Sequence, residues 1–450
     1  MTSASVQQLR LAELIGALSH ALDLTEGQPR GHCIRCCWIG YKIGAGIGYA
    51  PDELSDLYYT LLLKDLGCSS NAARICELYL TEDQAFKQDF KKIDGSLPQA
   101  LRFVLGHTGL SAPMTDRFRA IINILRNGGE ISRELIEARC TRGAEIARMM
   151  RFSPAVCSGI ECLDEHWDGR GKPSGMDRRN IPQNAQIALL AQVADVFFMA
   201  NGKEAAIREI SNRATTWFDP TLVEIFLALA EDEAFWEALA AKDLVSRVLA
   251  LEPQDIRRTA DESYLDDVAL AFAKVIDAKS PYTAGHSERV ALFTDLIAET
   301  LGEDKATRHS LRRAALLHDI GKLGLSNTIL DKPGKLTEEE FAIVKKHPVH
   351  SGEILSGIPA FREAAIVGLG HHEKLDGSGY PRGLKAPEIN RATRIVTVAD
   401  IFDALTAERP YRAAMPVSQA LAIMEKESGT KLDADCFAAL SQAMATAIAA

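Results

Sequence analysis

Apolar residues recur every three to four positions through LRLAELIGALSHAL (9–22), ELSDLYYTLLL (53–63), DDVALAFAKVI (266–276), RVALFTDLIAETL (289–301) and RIVTVADIFDALT (394–406). That is the period of helices that bury one face. Alternating stretches of strand type are scarce, so the pattern predicts an all-α protein.

The pattern also repeats in order along the chain. GHCIR (31–35) matches GHSER (285–289), and LLLKDLGC (61–68) matches LLHDIGK (316–322), each pair opening with 32 residues from His32 to Lys64 or from His286 to His318. RCTRGAEI (139–146) answers HPVHSGEI (347–354), and DGRGKPSGM (168–176) answers DGSGYPRGL (376–384). AQVADVF (191–197) is set against VTVADIF (396–402) after a three-residue length difference, and TWFDP (216–220) against TKLDA (430–434). Two helical bundles in tandem follow, at residues 1–250 and 258–450, joined through the polar, Pro-containing stretch Leu251–Glu262. The first copy carries an insertion of added helices: 74 residues separate Asp65 from Arg139, against 28 from Asp319 to His347.

Composition is that of a globular protein, 47% hydrophobic and 25% charged. No apolar run reaches membrane-spanning length and the start lacks the pattern of a signal peptide, so a cytoplasmic location without membrane association is the expectation. A net charge of −10 argues against nucleic-acid binding and asks for a local basic cluster if the ligand is anionic. Nine irregularly placed cysteines fit reduced thiols better than a disulfide framework. Cys33, Cys36 and Cys37, beside His32, read as half-buried helical thiols rather than as a metal site.

The second copy gathers His286, His318, Asp319, His347, His371, His372 and Asp400 at helix ends and on inward faces. His286 shares a face with Val290, Phe293 and Ile297, and Asp400 lies inside an otherwise apolar helix, where an uncompensated carboxylate is costly. Imidazole and carboxylate donors without thiolate suit Fe, Mn or Zn in a buried polynuclear site. Two cations about 3.5–4 Å apart hold a hydroxide and offset the anionic oxygens that protect a phosphodiester.

GHSER, LLHDIGK, KKHP, HHEKLDGSGYPRGL, VAD and RPYR together resemble the HD-GYP family of HD-domain phosphohydrolases, over residues 264–440. The resemblance implies hydrolysis of a cyclic dinucleotide, chiefly cyclic di-GMP to pGpG and onward to GMP, with cyclic GMP-AMP as the alternative and a non-hydrolytic receptor as the rival class. It implies two divalent ions, Fe or Mn ahead of Zn, Ni or Mg. Asp319 would bridge them; His286, His318 and Asp400 would hold one, and His347, His371 and His372 the other. The family's third-metal Glu is Tyr282 here, which favours two ions. Lys322 would contact the scissile phosphate, with Arg382, Lys385, Arg409 and Arg412 as the basic cluster and Tyr380 as a packing, stacking or partner-binding residue. A homodimer, and a protein partner at the GYP loop, complete the expectations.

At the matching positions the first copy has His32, Lys64, Asp65, Arg139, Leu163, Asp164 and Asp195. Cations at Lys64 and Arg139 oppose metal binding, and Cys68 replaces the phosphate-contacting lysine, so this copy is expected to be catalytically silent and regulatory or dimerising.

Overall fold

The structure, a computed structural model, describes residues 10–94, 96–253, 261–408 and 412–449. Among them there are helices, turns and three isolated bridges but no β-strand. The chain divides into two compact units between Asp261 and Glu262.

In the second unit, helices His286–Thr300, Lys305–Leu317, Arg362–Gly370 and Arg391–Thr406 pack around one another, with Glu262–Asp277 and Ala434–Ala449 against them. Val290, Ile297, Leu317, Val367, Val396 and Phe402 are fully buried between them, and Phe293 meets Phe402 edge-to-face at 4.9 Å. The polar residues between these positions set where each helix begins: Asp304 and Asn390 accept from the backbone N–H of Thr307 and Thr393. Helix His347–Ser356 lies across the short turn Ile320–Gly324. A Cβ on Gly321 would fall 2.0 Å from the carbonyl oxygen of His347, so only glycine lets the two segments meet.

The first unit repeats this plan with helices Leu11–Thr25, His32–Gly46, Pro51–Leu63, Pro154–Glu161 and Gln183–Asn201. Gly67 repeats the close approach, its Cβ position lying 1.8 Å from the carbonyl oxygen of Arg139. The insertion forms helices Ala72–Tyr79, Asp83–Phe90 and Leu97–His107 and the first part of the 36-residue helix Met114–Met149. It builds a satellite core from Ile75, Tyr79, Phe86, Phe103, Ile124 and Leu135.

Candidate metal centre

Helix ends deliver the second unit's site. His286 and His347 are first residues of their helices, His318 and His371 follow the last residues of theirs, and Asp400 projects from the middle of Arg391–Thr406. All but His372 are buried.

Asp319 lies between two groups of donors. Its Oδ2 is 3.4 Å from His286 Nε2 and 3.3 Å from His318 Nε2, and Asp400 Oδ1 is 3.5 Å from His286 Nε2. Its Oδ1 is 3.3 Å from His347 Nε2 and 3.5 Å from His371 Nε2. His286, His318 and Asp400 can converge on one ion, and Asp319, His347, His371 and His372 on another. The seven ligands expected from the sequence are thus brought together.

The far nitrogens fix the rings. Nδ1 of His318, His347 and His371 faces the carbonyl oxygens of Ala315, Val344 and Gly368 at 2.7, 2.7 and 2.9 Å, so each Nδ1 carries the proton and each Nε2 presents a lone pair. Nδ1 of His286 instead meets Asp403 Oδ2 at 2.6 Å, and Asp403 is held by Arg289. The Nε2 atoms of His347 and His371 then oppose lone pairs at 3.3 Å. Nε2 of His286, Nε2 of His318 and Oδ1 of Asp319 are buried without a hydrogen-bond partner. Converging orphaned acceptors of this kind fit cations.

Electrostatics says the same. Burial favours neutral His318, yet the carboxylates of Asp319 and Asp400 push it up to about 10, so its Nε2 lone pair draws a cation strongly, whether a proton or a metal ion. Burial alone would raise Asp319 and Asp400, but Lys322 and the histidines hold Asp319, and the histidines Asp400, far below the usual carboxylate range. Burial pulls His347 down to about 4. The carboxylate side of the site attracts positive charge while the His347 side resists protonation, which suits metal ions better than protons.

A cavity of about 410 Å³ opens over the centre, lined among others by Lys322, His347, His372, Tyr380, Asp400 and Arg412. Lys322 pairs with Asp319. Tyr380 stands between His372, at 4.8 Å between ring centroids, and Phe341, at 5.9 Å. Arg412 donates to the Leu405 carbonyl oxygen at 3.2 Å. Arg382 and Lys385 do not line the cavity: both side chains are exposed on the GYP loop, whose backbone N–H groups at Arg382 and Leu384 donate to Glu373. Arg409 lies outside the described residues. Sequence reasoning missed Asp403 and the cavity-lining Lys332 and Phe341; the signal for Asp403 was its place one turn beyond Asp400 on the same inward face.

The first unit fills the corresponding space with its own cations. Lys64 Nζ lies 3.0 Å from His32 Nε2 and 3.1 Å from Gln192 Oε1, and pairs with Asp65 Oδ2. Lys91, from the insertion, lies 3.8 Å from Asp65 Oδ1 and 2.6 Å from Glu26. Arg139 pairs with Asp164. The cavity beside them measures about 50 Å³. The sequence pairing of Asp195 with Asp400 needs correction. Asp195 accepts from His32 Nδ1 at 2.6 Å and from Arg35, as Asp403 does from His286 and Arg289, so Gln192 holds the position of Asp400. Cys33, Cys36 and Cys37 are buried, and burial raises each thiol pKa.

The profile of the HD domain family matches residues 119–222 and 271–436. The chain is 54% identical over 434 residues to 3'3'-cGAMP-specific phosphodiesterase 3 of Vibrio cholerae serotype O1, covering 96% of this chain and 94% of that protein. It is 40% identical over 196 residues to a cyclic di-GMP phosphodiesterase of Thermotoga maritima, covering 42% of this chain and 52% of that one. A crystal structure of a cyclic GMP-AMP-specific phosphodiesterase of V. cholerae matches with a TM-score of 0.67 at 49% identity, over 97% of this chain and 98% of the other. No helix among the described residues is long and apolar enough to cross a membrane.

Proposed function

Because the chain belongs to the HD domain family, we propose that its second unit is a metal-dependent phosphodiesterase that opens cyclic dinucleotides. The observation that carries the reading is Asp319, whose two oxygens face separate histidine groups. His286, His318 and Asp400 would hold one divalent ion and His347, His371 and His372 the other, with Asp319 between them. Fe or Mn suits this thiolate-free donor set, and Zn, Ni and Mg are the alternatives. Bound there, the pair supplies charge against the phosphodiester oxygens and an activated water at neutral pH.

The protein's own groups bind and orient. Lys322 brings an ammonium to the cavity wall, where it stabilises negative charge growing on the phosphate. Tyr380 and Phe341 form an aromatic wall, with the Lys345 ammonium 4.6 Å from the Phe341 ring centre, against which a purine can lie. We assign 3'3'-cGAMP as the substrate ahead of cyclic di-GMP, because the relative specific for it matches across both units while the cyclic di-GMP relative matches over less than half of the chain. The first unit is assigned a non-catalytic role, since its own ammonium groups stand among the surviving donors.

The test is the full chain loaded with Mn(II) or Fe(II) under reducing conditions and given equal amounts of 3'3'-cGAMP and cyclic di-GMP. Linear product arises first from 3'3'-cGAMP. Faster opening of cyclic di-GMP replaces the substrate assignment, and no linear product from either removes the activity. Wild-type turnover by Asp319→Ala removes the site.

A further inference from the structure

The first half of helix Met114–Met149 has two apolar faces. One holds Ile124, Ile131 and Leu135 and is buried in the satellite core. The other holds Met114, Phe118 and Leu125, which are 74, 65 and 55% exposed, with half-buried Ile122 among them. The steps of four, four and three residues align them as a stripe about 100° round from the core face. Arg117 donates to the Leu105 carbonyl oxygen at 3.1 Å, which ties helix Leu97–His107 beside this segment. That helix exposes its own stripe of Leu97, Leu101 and Leu105, and Leu110 lies exposed in the connection.

Next along the long helix come Gly128 and Gly129. Paired glycines weaken a helix interior, and here the protein's own packing does not require them. A Cβ on Gly129 would meet nothing within 4 Å, and one on Gly128 only the Ile124 side chain at 4.0 Å. Bare backbone on an open helix face permits another helix to approach closely.

We propose that this helical hairpin is the interface through which two copies of the chain dimerise. Seven large apolar side chains, at roughly 150–200 Å² each and about three-fifths exposed, offer on the order of 700 Å² per copy, close to what a stable interface buries on each partner. Two long helices crossing antiparallel near Gly128 set Leu125 of each against the bare backbone of Gly129 on the other, and bring Arg126 of each beside Glu130 of the other. Residues 114–137 carry four acidic side chains (Asp116, Glu130, Glu134 and Glu137) against four arginines (Arg117, Arg119, Arg126 and Arg133), so the segment has no net positive charge to draw it to an anionic lipid surface.

Sedimentation velocity of the full chain from 1 to 200 μM tests this. The wild type sediments as a dimer, and the pair Phe118→Glu with Leu125→Glu shifts it to monomer with at least a tenfold weaker association. Gly129→Leu is the control for folding: it has space in the monomer and favours helix, so it retains or raises the melting temperature while weakening the dimer. A monomeric wild type at 200 μM overturns the proposal, as does a dimer that survives the double glutamate variant. Cosedimentation of the wild type, but not the glutamate variant, with phosphatidylglycerol vesicles also overturns it, in favour of a membrane surface.

Discussion

The ammonium of Lys64 lies 3.0 Å from Nε2 of His32, the ring nitrogen whose counterpart in the second unit, on His286, is orphaned. A covalently attached cation thus occupies the place that corresponds to the converging donors of the other unit, where we propose that a soluble one binds. Lys91 does the same on the opposite side of Asp65. Of the seven expected ligand positions, the first unit keeps His32, Asp65 and the carboxylate of Asp164, and each faces a positive side chain.

Metal content therefore separates the two aspartates. Elemental analysis of purified protein is expected to give two ions per chain. Asp319→Ala removes the carboxylate that faces both histidine groups and lowers the content to below one. Asp65→Ala leaves it at two. A fall in content for Asp65→Ala would place a metal in the first unit.

Lys64→Ala tests the internal cation from the other side. It leaves the buried carboxylate of Asp65 with the more distant Lys91 ammonium and the weak thiol donors Cys33 and Cys68, and breaking a buried ion pair by removing one partner typically costs about 3–5 kcal/mol. Calorimetry should show the first unit melting at markedly lower temperature. Bound metal, held in the second unit, stays unchanged.

Much of this was legible in the sequence because chemistry constrained both residue type and spacing. Six of the seven donors lie at or just past helix ends that glycines and apolar runs define, the seventh, Asp400, lies inside an apolar helix, and the structure brings all seven together. What failed was local likeness overriding register. VAD occurs in both copies, so Asp195 was set against Asp400; the constant separation of 208 residues, shared by Arg139 and His347, pairs it with Asp403. Lys91 had no counterpart to be compared with, because it comes from the insertion. Arg382 and Lys385 were read from charge, which says nothing about which side of a loop faces the cavity.

Asp403→Asn follows from that correction. The carboxylate accepts a hydrogen bond from Nδ1–H of His286 at 2.6 Å and is itself held by Arg289. An amide can still accept one hydrogen bond but brings no charge to raise the basicity of the ring. Losses behind a ligating histidine are typically 10–100-fold in metal affinity or activity. Competition with a chelator should show that loss, with the melting temperature of the metal-free protein lowered far less than by Asp319→Ala.

Gly321→Ala probes the frame beneath the ligands. Its Cβ would lie 2.0 Å from the His347 carbonyl oxygen and 2.6 Å from the Ser351 backbone nitrogen, so helix His347–Ser356 must move. His347 sits at the end of that helix and moves with it. Turnover should fall at least tenfold and stability by about 2–4 kcal/mol, within the range of severe single substitutions. The same change at Gly67 should destabilise the first unit and leave metal content intact.

Stability against pH gives the last expectation. Burial, with the Lys64 ammonium nearby, pulls His32 down to about 4, and burial pulls His166 there too. Their ordinary value is near 6.5. Between about 6.5 and 4 the unfolded chain takes up protons at these rings that the folded unit refuses, so stability falls as the medium is acidified. Above 6.5 both states hold neutral rings and the contribution is fully present. Burial pushes Asp23 of the same unit up to about 6, so the folded unit gains one proton there as the two rings refuse theirs, and urea titrations at pH 7.5, 6.0 and 5.0 should show the first unit's midpoint dropping by less than the two rings alone would give. His166→Gln should flatten part of that slope, since glutamine carries no proton to gain. A midpoint that does not move across this range would show that these rings are not held neutral by the fold.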